Sequence, residues 1–124
     1  MKFSAGTYYI GDPCYAVADK NWNDLLDDTG CLGVDPSDGF KDGCFEYNGE
    51  KCYTKSTAYG DGCYYDNFER KYGVDSGLIA IMPIDVCDGD FVLGGNVVKF
   101  ADDFEANSCD GVFVFGDIII DTQG

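Results

Sequence analysis

Phe104-Glu105-Ala106-Asn107-Ser108-Cys109-Asp110-Gly111-Val112-Phe113-Val114-Phe115-Gly116-Asp117-Ile118-Ile119-Ile120 reads as three short strands joined by two reversals. The pairs Asp110-Gly111 and Gly116-Asp117 accept the positive φ that tight turns require. The flanking β-branched and aromatic residues suit a pleated, half-buried surface. Connections this short cannot join parallel neighbours, so the strands are antiparallel. The unbroken apolar runs Val112–Phe115 and Ile118-Ile119-Ile120 lead us to expect strands buried on both faces.

The same grammar extends towards the N-terminus. Phe91-Val92-Leu93, Gly94-Gly95 and 96–101 read as a second hairpin. Residues 77–82, Gly-Leu-Ile-Ala-Ile-Met before Pro83, form an apolar run that suits a buried strand. Cys44–Tyr47 and Glu50–Ser56 flank Asn48-Gly49, the strongest short hairpin signal. Residues 6–10 are a first strand, ended by Gly11-Asp12-Pro13. Five Asp-Gly pairs and one Asn-Gly fall at reversals. The best helix is at 19–28, where Trp22, Leu25 and Leu26 share one face and Gly30 follows as a stop. Residues 33–43 read as a loop, and a central loop runs to Lys71. The expectation is a mainly β chain with a minor helical part. It would form an antiparallel sandwich or partly open barrel of seven to nine short strands with one short N-terminal helix, in a single domain over 1–124.

Composition bounds the chemistry. The 124 residues are 45% apolar and 15% aromatic, enough for one core and too apolar for disorder. No apolar run approaches the length of a membrane span, and no secretory signal is visible, so the expectation is a cytoplasmic protein. The formal charge is −15, from 23 acids against eight bases. Nineteen of the acids are Asp, which favours turns rather than helix faces. Such a surface repels nucleic acid and anionic membranes and attracts basic surfaces. The seven cysteines, at 14, 31, 44, 52, 63, 87 and 109, are odd in number and form no C-x-x-C pair, which favours thiols over a disulfide framework.

The chain has no His, which excludes imidazole bases and His-ligated metals. No P-loop, G-x-G-x-x-G or G-x-S-x-G pattern is present. Two D-[ST]-G triplets, Asp28-Thr29-Gly30 and Asp75-Ser76-Gly77, carry the signature of aspartic proteases. The triplet is also a common turn, and the chain is short for a two-lobed protease. Asp88-Gly89-Asp90 and Asp35-Pro36-Ser37-Asp38 are only fragments of a calcium loop. We therefore expect no catalytic residues, no metal and no cofactor.

Tyr8-Tyr9-Ile10-Gly11-Asp12-Pro13-Cys14-Tyr15 and Thr57-Ala58-Tyr59-Gly60-Asp61-Gly62-Cys63-Tyr64-Tyr65 are the distinctive stretches. Both run from aromatics through Gly-Asp to Cys-Tyr, and we expect them to lie near each other. Tyrosine rings stack on bases, and glycine-rich backbone presents N–H groups to anions. Arg70 and Lys71, with Lys55, flank the second stretch and would meet a phosphate. The expected ligand-binding residues are Asp12, Tyr15, Thr57, Tyr59, Asp61, Tyr64, Tyr65, Arg70 and Lys71. Packing alone would also account for these tyrosines.

Within these stretches residues 9–15 and 57–64, together with Val74-Asp75-Ser76-Gly77-Leu78-Ile79 and Gly116-Asp117-Ile118-Ile119-Ile120-Asp121-Thr122, resemble a family of small, uncharacterised proteins from bacteriophages and bacterial genomes. The resemblance implies a cytosolic, often phage-encoded protein and carries no activity and no assigned residues. By analogy with small phage proteins, we expect a non-enzymatic binding protein that inhibits host defence by sequestering a nucleotide signal in an aromatic- and glycine-lined pocket. The alternatives are an acidic protein that blocks a basic, nucleic-acid-binding host protein, an aspartic-protease-like hydrolase, and a structural module. Sequestering pockets often form between subunits, so a homo-oligomer belongs to the first reading.

Overall fold

Eleven strands run antiparallel in the computed structural model, which describes residues 2–16, 44–47, 50–74, 77–87, 95–109 and 111–123, with the backbone alone for Cys14, residues 44–47 and Ser56. Five of them form one sheet, in the order β3 (Cys44–Tyr47), β4 (Glu50–Ser56), β7 (Leu78–Pro83), β2 (Gly6–Gly11) and β8 (Gly95–Phe100). Four form a second, in the order β1 (Lys2–Phe3), β9 (Phe104–Cys109), β10 (Val112–Phe115) and β11 (Ile118–Asp121). A separate hairpin pairs β5 (Gly62–Tyr65) with β6 (Lys71–Val74).

The register explains the core. In the second sheet Phe113 lies opposite Ser108 and Ile120, and Phe115 opposite Ala106 and Ile118. Period-two alternation sends Phe104, Ala106, Phe113, Phe115, Ile118 and Ile120 inward. They meet Tyr8, Ile10, Tyr53, Ile79 and Ile81 of the first sheet. Each fully buried large side chain contributes about 1.5–3 kcal/mol of transfer free energy. The β5–β6 hairpin adds Tyr72 and Val74 and bridges one side of the sandwich. There Asp66 bridges Ile120, and the Asn96 side-chain amide donates to the Lys71 carbonyl at 2.8 Å. Elsewhere the two sheets are linked by the side chains of Tyr53 and Ser108, 3.0 Å apart.

A second cluster sits on the outer face of the first sheet, where Tyr9, Cys52, Leu78, Ala80 and Met82 pack with Ala16 and Val86. Ala16 belongs to a one-turn helix, α1 (Pro13–Ala16), and Val86 to the 3₁₀ turn Ile84–Val86. β7 is therefore buried on both faces, in keeping with its unbroken apolar run. At the end of β2, Gly11 pairs with Gly95 of β8 beneath the Tyr9 ring. A Cβ on Gly95 would stand 2.4 Å from the Ile10 carbonyl oxygen and 2.7 Å from the ring. Because backbone forms one side of that contact, Gly95→Ala is expected to cost about 1–3 kcal/mol in chemical denaturation, and unchanged stability would refute this crossing.

Two sequence expectations are corrected. β10 and β11 are buried on one face only, and Val114 is 36% and Ile119 43% exposed. Among the described residues the second sheet has a neighbour on its inner side alone, and an all-apolar run hides the alternation that would have revealed this. The central segment up to Lys71 is not a loop throughout, since it contains β5 and the start of β6. That hairpin and the two-residue β1 take the count beyond nine; neither is long enough to show a pattern. The mainly antiparallel β architecture stands. The 19–28 helix, the 33–43 loop, the Asn48-Gly49 turn, Phe91-Val92-Leu93, and the Asp28 and Asp75 carboxylates lie outside the described residues. Among the described residues no helix is long and apolar enough to cross a membrane.

Candidate functional site

The Thr57–Tyr65 stretch (residues 57–65) is held by hydrogen bonds within itself and to Gly77 and Thr122. Thr57 takes its backbone partner from Gly77 at 2.9 Å, and its hydroxyl donates to the Gly60 carbonyl. The Tyr64 hydroxyl donates to the same carbonyl at 2.9 Å. Ala58 N–H donates to the Thr122 hydroxyl, which itself donates to the Gly111 carbonyl. Gly111, at φ 85°, is required here, because a Cβ would stand 2.7 Å from that of Ala58. Thr57 and Tyr64 thus shape the loop. Tyr59 and Tyr65 project from it, 72% and 58% exposed.

Tyr59, Tyr64 and Tyr65 line one open pocket of about 440 Å³ with Cys63, Asp121 and Thr122. Asp61 is exposed on the same loop. The other expected residues do not line it. Asp12 is fully buried, and its carbonyl accepts from the Tyr9 hydroxyl at 2.7 Å and from Tyr15 N–H at 3.2 Å. Gly11 and Thr54 both pair with Ala80, so the two Gly-Asp stretches leave the same end of the sheet with β7 between them. Lys71 is exposed opposite Tyr65 in the hairpin. Asp121 is the one charged residue in the pocket wall among the described residues, which opposes a phosphate there.

Arg70 is engaged elsewhere. Its guanidinium lies 3.1 Å from the Asp66 carboxylate, whose side chain is fully buried. Asp66 also accepts from Phe68 N–H at 2.7 Å, Arg70 N–H at 3.0 Å and the Tyr72 hydroxyl at 2.8 Å. This ring of donors fixes the turn between β5 and β6 and holds Glu69 at φ 66°, a strained conformation for a residue with a Cβ. Burial alone would raise the Asp66 carboxyl. The bonds from Arg70 N–H, Tyr72, Phe68 N–H and the guanidinium outweigh it and hold the group below the usual carboxylate value. Burial, then the hydrogen bond to Asp66 and its charge, push Tyr72 far above the ordinary tyrosine range.

These directions set the pH response. Asp66, lowered on folding, adds stability that is complete above a carboxylate's ordinary value near ~4 and is lost as pH falls through its folded value. Tyr72, raised on folding, adds stability that is complete below about 10 and is lost as pH rises further. Thermal melts of wild type and Tyr72→Phe should therefore converge above pH ~10, because the wild type is the more stable below it and falls more steeply. Parallel curves would contradict the network.

A larger open groove, about 720 Å³, lies between the 66–70 turn, the end of β8 and the start of β9. Its floor carries the half-buried Val98 and Phe100, with Phe100 stacked on Phe104 at 3.8 Å between centroids, and exposed Gly116 also lines it. Asp102, Asp103, Glu105 and Asp117 stand exposed along it. Asp103 accepts Ala5 N–H at 2.9 Å. The Asn67 amide donates to the Asp117 carbonyl at 2.9 Å and so ties that turn to the rim beside Phe68, which is 54% exposed. Arg70 lies over the Phe68 ring at 5.1 Å, and among the described residues Lys99 is the other cation along the groove.

Sequence reasoning missed this groove and Asp66. The available signals were Asp66 four residues before Arg70 and the Asp102-Asp103 pair between two phenylalanines. Among the described residues no three Cys, Asp or Glu converge to hold a metal ion. Comparison with family models, with curated proteins and with solved structures returned no match.

Proposed function

We propose that this chain is a non-enzymatic binding protein whose acidic surface docks and blocks a basic, nucleic-acid-binding protein. The observation that carries the reading is the groove, where four carboxylates stand along an apolar floor. Of the two cations along it among the described residues, Arg70 is already paired with buried Asp66. Charge complementarity of this kind speeds encounter and selects partners by sign. If the gene belongs to a phage, as the sequence resemblance implies, the partner is a host protein and blocking it is the function.

The test is capture. The immobilised protein is offered the heparin-binding fraction of a bacterial lysate, which concentrates nucleic-acid-binding proteins. One or a few basic proteins retained saturably, in preference to equally basic neighbours, support the reading. Retention of nothing, or of every basic protein in proportion to its charge, counts against it.

One observation favours nucleotide sequestration as a second reading, namely that Tyr59 and Tyr65 share a pocket in which a base could stack. A ligand at a hundredfold excess over its Kd would add about 2.7 kcal/mol and raise the melting temperature by several degrees. A panel of cyclic nucleotides that moves the melt by less than a degree would remove this reading.

A further inference from the structure

We infer that the partner enters the groove beside Phe68 with an extended, arginine-rich segment. This inference rests on the acidic-binder reading and says where and through what chemistry the contact is made. Among the described residues nine acids are exposed, and four of them line this one groove. The other five, Glu50, Asp61, Glu69, Asp85 and Asp121, do not line it. The floor is apolar at Val98 and Phe100, both half-buried, and suits the methylene stems of long cationic side chains. The rim supplies carboxylates, which take guanidinium groups in bidentate pairs. Phe68 already carries the Arg70 guanidinium 5.1 Å from its ring centroid yet stays 54% exposed, which leaves aromatic surface for a further stacked cation, and its position beside Asp117 is fixed through Asn67. Arginine uses all three features, whereas lysine lacks the planar fork. An open groove admits a chain segment along its length, which a rigid folded surface would not fill.

The experiment titrates a fluorescein-labelled oligo-arginine peptide with the protein and follows anisotropy at about 50 mM salt, where exposed charges remain effective. One variant, Asp102→Asn/Glu105→Gln/Asp117→Asn, removes three groove charges and spares Asp103, which bonds Ala5. A control variant, Glu50→Gln/Asp61→Asn/Asp85→Asn, removes three charges elsewhere. The groove variant should bind about tenfold more weakly and the control less than about twofold. Phe68→Ala should weaken arginine binding more than oligo-lysine binding, with thermal melts showing that each variant is folded. Equal weakening by the two charge variants would overturn the groove and leave the acidic-binder reading standing. No binding of the peptide by wild type would overturn both.

Discussion

Asp66→Ala is expected to lower the unfolding free energy by about 3 kcal/mol, because it leaves a buried tyrosine hydroxyl and a guanidinium without their shared acceptor. Four donors converge on this one carboxylate. Its side chain is fully buried, whereas that of Arg70 is 36% exposed, so the loss falls mostly on Tyr72 and on the turn backbone. The melting temperature should drop by roughly 10 °C for a chain of this size. Tyr72→Phe alone should cost less, about 1–2 kcal/mol, since it removes one donor and leaves three. The double variant should cost less than the sum of the two, because the hydroxyl and the carboxylate act on each other. Additive losses would mean that the hydrogen bond of 2.8 Å between them does not contribute.

Phe113→Ala is expected to cost about 3–5 kcal/mol by removing a ring from the middle of the core. Phe113 is 0% exposed and sits between Ser108 and Ile120 in the register, with its ring 6.0 Å from that of Phe115. Val114→Ala, on the outer face of the same strand, should cost well under 1 kcal/mol. Urea denaturation measures both, and comparable losses would contradict the one-sided burial of β10. The contrast tests the same feature that the apolar run concealed.

The fold was more legible than the site. Asp-Gly and Gly-Asp reversals mark chain direction locally, so the β9–β10–β11 meander and the β3–β4 hairpin could be read from residue order. Which face of β10 meets another sheet depends on what packs against it, and an unbroken run such as Val112–Phe115 carries no local sign of that. The β5–β6 hairpin stayed hidden because its strands are four residues each and its turn is held by Asp66, whose partners lie two to six residues on. The tyrosine cluster at 59, 64 and 65 was legible because one short stretch of chain, a loop running into β5, carries all three. The acidic groove was not, since Phe68, Phe100, Glu105 and Asp117 come from separate elements and meet only when the two sheets close. Arg70 was assigned to a ligand on proximity in the chain, whereas a buried carboxylate four residues away holds it.

The most direct test of the central claim is competition between this protein and DNA for the same partner. A basic protein retained by the immobilised chain is titrated with labelled duplex DNA, and both release from the chain and the label are followed. The account predicts that DNA displaces the chain completely, because both present carboxylate or phosphate charge to one basic surface. A ternary complex, with labelled DNA joining the partner while the chain remains bound, would contradict it.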